Sequence, residues 1–314
     1  MEKLYYHLVC NVAQLLSLFY SGAICGMLGL KAIPEFGNLL QYGKTLHVDS
    51  KQNSLSAYVA QYSVPKSWFA HFYIVYYLYC LGIGFILIIG LKLNIKGMPF
   101  FLEQVISAST SHPLTDTVSK IHRRKLAFIL LYIQAGRRLI ETVYVTRFSP
   151  RAKMNVLHYA MGLIFYLGLC LNCFLSLVFF YTSADASWQD QIRMWSTTFG
   201  WTEVLLVAFF LILQVDQFQN HRHLASLQKY SLPTFRFFKY VSCAHYMDEV
   251  LIYGTIALIV NRKLQNLDVF DINYFLAFLF VFVNLAISSR ETHKFYRSKF
   301  NSFRTPFSIV PFII

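Results

Sequence analysis

Seven stretches of about 20 predominantly apolar residues punctuate the chain, and each has the length a helix needs to cross the hydrocarbon core of a bilayer. They run over His7–Leu30, Ser67–Leu91, Lys125–Thr146, Asn155–Thr182, Thr198–Asp216, His245–Asn261 and Ile272–Ser288. In lipid every backbone N–H and C=O must find its partner within the spanning segment, so runs of this kind dictate helices. The expected fold is all-α: a polytopic membrane protein with about seven transmembrane helices, forming a single integral membrane domain over residues 1–314. The third and sixth runs are the least apolar, because both carry ionisable residues.

Composition agrees. Hydrophobic residues make up 56% of the chain and charged residues only 14%, where a soluble domain carries nearer a quarter charged. The first run is long, lacks a basic leader and has flanks that suit an anchor better than a cleavable signal peptide. Most of the six cysteines lie inside apolar runs, which argues against a disulfide framework. Cys170 and Cys173 form a lone CxxC with no second pair, so no metal site is expected.

The net charge of +13 suits anionic headgroups or a polyanionic small ligand. Lys and Arg are spread over the loops and form no basic arm, so nucleic acid is not expected as a partner. With seven spans, sixteen Lys and Arg fall on the side that carries the C-terminus and ten on the other, with Arg137 and Arg138 inside a span. The positive-inside rule then places the C-terminus in the cytosol. The basic stretch Lys92–Arg124 dissents, since it falls on the lumenal side. The same stretch carries the turn signals Gly97-Met98-Pro99 and His112-Pro113. A short lumenal loop is expected at Ser183–Trp195 and a basic, aromatic loop at Gln217–Cys243. The apolar ending Pro306–Ile314 is too short to span and is expected to pack against the bundle or the interface.

Charges at membrane depth are costly, so they face a partner or an aqueous cavity. Gln134, Arg137, Arg138 and Glu141 lie at i, i+3 and i+4 spacings on one helix face. They form either an internal ion pair that holds the bundle or a polar pocket. Two arginines against one glutamate leave a positive excess, which favours a nearby anion. His245, Glu249 and Tyr253 make a second polar stripe near the start of the sixth span, or a solvated helix end. Basic, aromatic patches follow the fifth span (Gln217 to His223) and the seventh (His293 to Phe300). Together they suit phosphates and a nucleotide base. GxGxxG in a strand–helix setting, Walker A, HExxH and GxSxG are all absent, as are the histidine clusters of membrane di-iron oxidases.

Five stretches together resemble the steroid 5α-reductase family, and within it the polyprenol (polyprenal) reductase branch. They are Val64–Tyr73, Arg137–Glu141, Met154–Tyr166, a long one from Gln217 and His221 through Leu232-Pro233 and Phe238–Tyr246 to Glu249, and His293–Phe300 with Pro311-Phe312. The resemblance implies an endoplasmic reticulum enzyme that binds NADPH on its cytosolic side and takes a long-chain polyprenyl substrate from lipid. Residues 1–182 would lie mainly on the substrate side and 198–314 mainly on the cofactor side. Arg137, Gln217, His221, His245, Glu249, Tyr253, His293, Tyr296 and Lys299 are the expected cofactor-binding residues. His71 and Gln134 fall where steroid-reducing members polarise a carbonyl, so they are the expected catalytic donors, with Glu141 orienting the arginines and Tyr73 in reserve. Steroid reductases use a Tyr and a Glu for that task; here Gln134 and Phe72 align with them, which fits the polyprenyl branch better. The tail, Phe303-Arg304-Thr305-Pro306, is one residue shorter than the family's pattern.

The implied reaction is reduction of the α-isoprene double bond of polyprenal to give dolichal and, in turn, dolichol for protein N-glycosylation. Hydride is a nucleophile and needs an electron-poor alkene; an α,β-unsaturated aldehyde supplies one and an allylic alcohol does not. Two other classes remain open at this point: a lipid-modifying enzyme of the isoprenylcysteine methyltransferase kind, and a non-enzymatic lipid transporter.

Overall fold

The computed structural model describes residues 2–33, 62–93, 114–150, 152–181, 200–227, 231–262 and 267–311. The turn signals at 97–99 and 112–113, the Ser183–Trp195 loop and the last three residues lie outside them. Seven long helices are described: α1 Glu2–Ala32, α2 Phe69–Leu93, α3 Leu114–Ile140, α4 Val156–Tyr181, α5 Trp201–Ser226, α6 Ala244–Asn261 and α7 Val269–Lys299. Five of them, α1, α2, α4, α5 and α7, are long and apolar enough to cross a membrane unaided. The chain is an all-α, multi-pass membrane protein.

The two helices that miss that mark are α3 and α6, the two least apolar runs in the sequence. Their position in the bundle explains how they are tolerated. α3 packs against α2, α4 and α6, while α6 packs against α3, α5 and α7. Three helices flank each of them, so polar side chains on the inward faces can meet partners instead of hydrocarbon. α1 runs alongside α7: Ser17 donates to Asn273 at 2.6 Å near one end, and Lys31 pairs with Glu291 near the other. Between these helices lies an aromatic core in which Phe165 stacks on Phe280 at 4.7 Å, with Tyr20 edge-on to both.

Three helices outrun the apolar runs. α3 begins at Leu114 and not at Lys125. α5 continues to Ser226, so Gln217 and His221 sit on a helix and not in a loop. α7 continues to Lys299 and carries His293 and Tyr296. The apolar window marks where lipid is met. Helix propagation adds one hydrogen bond per residue and does not stop at that boundary.

Local signals set the ends. Asp268 caps α7, accepting from Phe270 N and Asp271 N, while Asp271 accepts from Asp268 N in return. Asn155 accepts from Leu157 N at 2.8 Å and caps α4. A two-stranded antiparallel pair, β1 Ser63–Pro65 with β2 Lys153–Asn155, ties the starts of α2 and α4 together. Gly162 on α4 permits their close approach, because a Cβ there would stand 2.8 Å from the Phe72 ring. α3 ends in a π-helical turn, Glu141–Val145. The segment after α7 folds back on the α5–α6 connection: Val241 bridges Phe307 in parallel, and Ser242 N donates to Phe307 O at 3.0 Å.

Candidate active site

One polar network occupies the end of the bundle where α3 and α5 finish and α6 starts. Glu141, placed by the π turn, is fully buried; it accepts from Arg137 and, at 2.6 Å, from Arg138. Arg137 also donates to Gln134 Oε1 at 2.7 Å and to Gln214 and Gln217 on α5. Gln134 returns its amide to Glu249 on α6 at 3.1 Å, and Gln217 donates to Glu249 and to the His245 carbonyl. Arg138 Nε lies 3.7 Å from Glu249, and its Nη2 donates to the Tyr73 hydroxyl on α2 at 2.6 Å. His221 Nδ1 stands 2.8 Å from Glu141 and 2.9 Å from Arg138. It serves one of them at a time: as Nδ1–H it donates to the carboxylate, and as a bare nitrogen it accepts from the guanidinium.

The geometry corrects the charge balance drawn from the sequence. Glu249 reaches the arginines from another helix, so two cations face two carboxylates. The inner network carries no positive excess, because the second carboxylate is distant in sequence and near in space. The cationic surplus lies further out: Arg222, Arg290, Lys294, Arg297 and Lys299 are all exposed on the last turns of α5 and α7. An outer cationic rim over a neutral, hydrogen-bonding interior is a donor set that fits a phosphate-bearing nucleotide.

The expected site residues separate into three places. Arg137, Gln217, His221 and Glu249 join Gln134 and Glu141 in the network, and His245 borders it, its ring 5.5 Å from that of His221. Tyr253, one turn further along α6, is buried against Phe165. His293 and Tyr296 form a second patch with the folded-back tail. The His293 Nδ1 lies 2.7 Å from the Ser242 hydroxyl, and Phe303 packs on both rings. Lys299 lies over the Phe295 ring at the rim. His71 stands apart: its Nδ1 is 2.9 Å from the Tyr159 hydroxyl, and Trp68 packs on its ring. Gln134 is fully buried, with its oxygen and its nitrogen committed to different helices. Among the described residues, no group of three or more His, Cys, Asp or Glu could hold a metal ion.

Two residues outside the expected catalytic and cofactor-binding sets belong to this region. Gln214 takes the Arg137 Nε, and Asn220 donates to Asp248 at 2.7 Å, joining α5 to α6. The spacing Gln214, Gln217, His221 was the available signal, since i, i+3 and i+7 share a helix face.

Comparisons with known proteins converge on this half of the chain and extend beyond it. The family model described as 3-oxo-5-alpha-steroid 4-dehydrogenase matches residues 152–314, which include α5 to α7 and the tail. A polyprenal reductase of Saccharomyces cerevisiae is 30% identical, over 94% of this chain and 92% of its own length. Polyprenal reductase 1 of Oryza sativa subsp. indica is 27% identical over 86% of each chain, and polyprenal reductase of Danio rerio is 25% identical over 96% of each. The matched segment holds the residues that close the network from α5 and α6, and the full-length likeness adds the arginines of α3. On both counts the chain belongs to the 3-oxo-5-alpha-steroid 4-dehydrogenase family, the steroid 5α-reductases.

Proposed function

We propose that this protein is a polyprenal reductase, an oxidoreductase acting on a CH–CH group, which saturates the α-isoprene double bond of a polyprenal on the way to dolichol. The observation that carries the proposal is the likeness to proteins of that name over nearly the whole length of both chains. NADPH is the proposed cofactor; when bound, it supplies the hydride. The half-buried His221, His245 and His293 and the exposed arginines around them would hold its base and phosphates. Residues 198–314 would form most of that site, and residues 1–182 most of the passage for the lipid chain.

The chain's own residues do three things in this scheme. The carboxylates of Glu141 and Glu249 fix the Arg138 guanidinium at the inner edge of the network, which presents a preorganised positive potential where the substrate oxygen gains charge. Gln134 and Gln217 lock α3, α5 and α6 in register around it. The surrounding aromatic core excludes water, so these dipoles act in a low dielectric.

The proposed location is the endoplasmic reticulum membrane, with the network and the C-terminus on the cytosolic side. The orientation rests on the count of Lys and Arg, sixteen on the side of the C-terminus against ten on the other. Two cations of the dissenting stretch face carboxylates: Arg124 pairs with Asp268 and Asp271, and Lys120 stands 3.5 Å from Asp271. Labelling of an introduced cysteine after α7 in sealed microsomes tests the orientation.

The activity test is direct. Purified protein is mixed with NADPH and a polyprenal, and the product mass is read. A gain of two hydrogens with matching NADPH consumption is expected; no gain and no consumption overturns the reading. Thermal stabilisation by S-adenosylmethionine in place of NADPH would point to the methyltransferase class instead.

A further inference from the structure

We infer that Arg123 on α3 anchors a binding site for the phosphate of a membrane-lipid headgroup, at the end of the bundle opposite the polar network. Arg123 is only 8% exposed. Its Nε is sealed from the surface and has no hydrogen-bond partner among the described residues, but its two terminal nitrogens are not sealed. The side chain is therefore held in protein along its length, and the fork of the guanidinium opens at the surface. A cation desolvated in this way is costly unless an anion answers it. The charges gathered around it are those of Asp271, Arg124, Glu203 and Arg262. Each of those carboxylates is already engaged. Arg124 pairs with Asp268 and Asp271, Lys120 stands 3.5 Å from Asp271, and Arg262 pairs with Glu203. Among the described residues no carboxylate pairs with Arg123, so the cluster leaves a positive charge unanswered at its edge.

The ligand class follows from where the fork opens. α5 and α7 begin their apolar spans here, at Trp201 and Val269, and α6 ends here at Asn261. Trp201, two residues before Glu203, is 85% exposed, and tryptophan collects at the headgroup level of a bilayer. The anion held at that level is lipid phosphate. A guanidinium meets phosphate through two parallel N–H···O bonds, which a planar fork matches and a point charge does not. Arg262 is exposed beside Glu203, gives it one Nη1 and carries further N–H groups, so two guanidiniums can share one phosphate. Burial of Arg123 on its protein side makes its attraction for that phosphate stronger than that of a surface arginine. A lipid so held would fasten α3 to the end of α6 from outside the bundle. The competing partner is Glu203, whose Oε2 is sealed and has no hydrogen-bond partner among the described residues. Pairing with it would make Arg123 a purely structural ion.

The test uses full-length protein washed free of lipid in a neutral detergent, with unfolding temperature as the readout, so it does not depend on the enzymatic activity. Dioleoyl phosphatidic acid is expected to raise Tm by about 5 °C at saturation. Dioleoylglycerol, which has the same chains and no phosphate, should leave it within about 1 °C. Inorganic phosphate at equal concentration should do the same, and a shift as large as that of phosphatidic acid would assign the site to a free anion and overturn the lipid. Arg123→Met separates binding from structure. Without lipid it should unfold at or above the wild-type temperature, because it removes a buried cation that has no counter-ion, and it should lose the response to phosphatidic acid. Earlier unfolding of Arg123→Met without lipid shows a structural partner such as Glu203 and overturns the site. A response that survives in Arg123→Met places the lipid on the cationic rim of α5 and α7 and overturns it as well, as does a wild type that does not respond.

Discussion

α3 carries two buried arginine sites, one in its first half and one at its end, and the two use the same ions for different purposes. In its first half, Arg124 is fully buried; its Nε donates to Asp271 at 2.9 Å and its Nη2 to both Asp268 and Asp271. Those two carboxylates also cap α7, so charge pairing and helix capping share atoms and fasten α3 to α7. At its far end, Arg137 and Arg138 meet two carboxylates as well, but through three glutamines, a histidine and a phenol. These neutral partners have both donors and acceptors, and His221 and Tyr73 retain hydrogen-bonding capacity that the arginines do not consume. A cluster of ions alone is a strut. Ions mixed with groups that can still donate make a place where a substrate can be met.

This contrast can be broken or sharpened by substitution. The largest effect is expected at Glu249. Glu249→Leu strands Gln134, Gln217 and Arg138 without their common acceptor and restores a positive excess at the site. Turnover of polyprenal should fall by about 10²–10³-fold, read as initial NADPH oxidation. Arg124→Ala at the opposite end should act on stability and not on chemistry. It leaves buried Asp271 and half-buried Asp268 with Lys120 alone among the described residues, 3.5 Å and 3.7 Å away, and should cost about 3 kcal/mol, read by unfolding in detergent, while the remaining folded protein keeps its kcat within twofold. Gly162→Ala tests the frame between them. The added methyl meets the Phe72 ring, and overpacking of this kind costs about 1–3 kcal/mol, read by unfolding in detergent.

A smaller effect is expected from acid. Burial opposes ionisation of Asp268, but the charge and hydrogen bonds of Arg124, with Lys120 nearby, outweigh it and hold the carboxyl below the ordinary range. A group depressed on folding contributes stability that is complete above its unfolded value of about 3.9 and is lost as pH falls through the folded value. Thermal unfolding followed below pH 4 should show that loss in wild type and not in Arg124→Ala. The smallest effect is expected at His71, whose contacts lie with Tyr159 and Trp68. His71→Ala should change kcat less than threefold, and a hundredfold loss would return it to the reacting centre.

The apolar runs gave the number and order of the helices, because lipid leaves the backbone a single solution. They gave the ends poorly. Leu114 to Arg124, Gln217 to Ser226 and Ser289 to Lys299 are helical in spite of their polarity, and hydropathy has no term for a helix that leaves the membrane without unwinding. The core of the site was legible where its residues share one helix, as Gln134, Arg137, Arg138 and Glu141 do. What spans helices was not. In the sequence Glu249 belongs to a separate stripe with His245 and Tyr253, and its neutralising role exists only across the contact of α6 with α3. Asp268 and Asp271 carry the D-x-x-D spacing of a helix cap, but nothing local joins them to Arg124, 144 and 147 positions away.

The π turn at Glu141–Val145 has a consequence for how this protein tolerates inherited change. A π turn is an α-helix with one residue too many, and here Thr146 N closes it onto the Glu141 carbonyl at 2.8 Å. Loss of a single codon among residues 142–145 would therefore leave a regular helix, and by secondary structure alone the product would pass as intact. It would also turn everything downstream by about 100°, moving the approach to β2 and the clasp that holds α4 beside α2. The segment in which a deletion is easiest on the backbone is thus one in which it is hardest on the site.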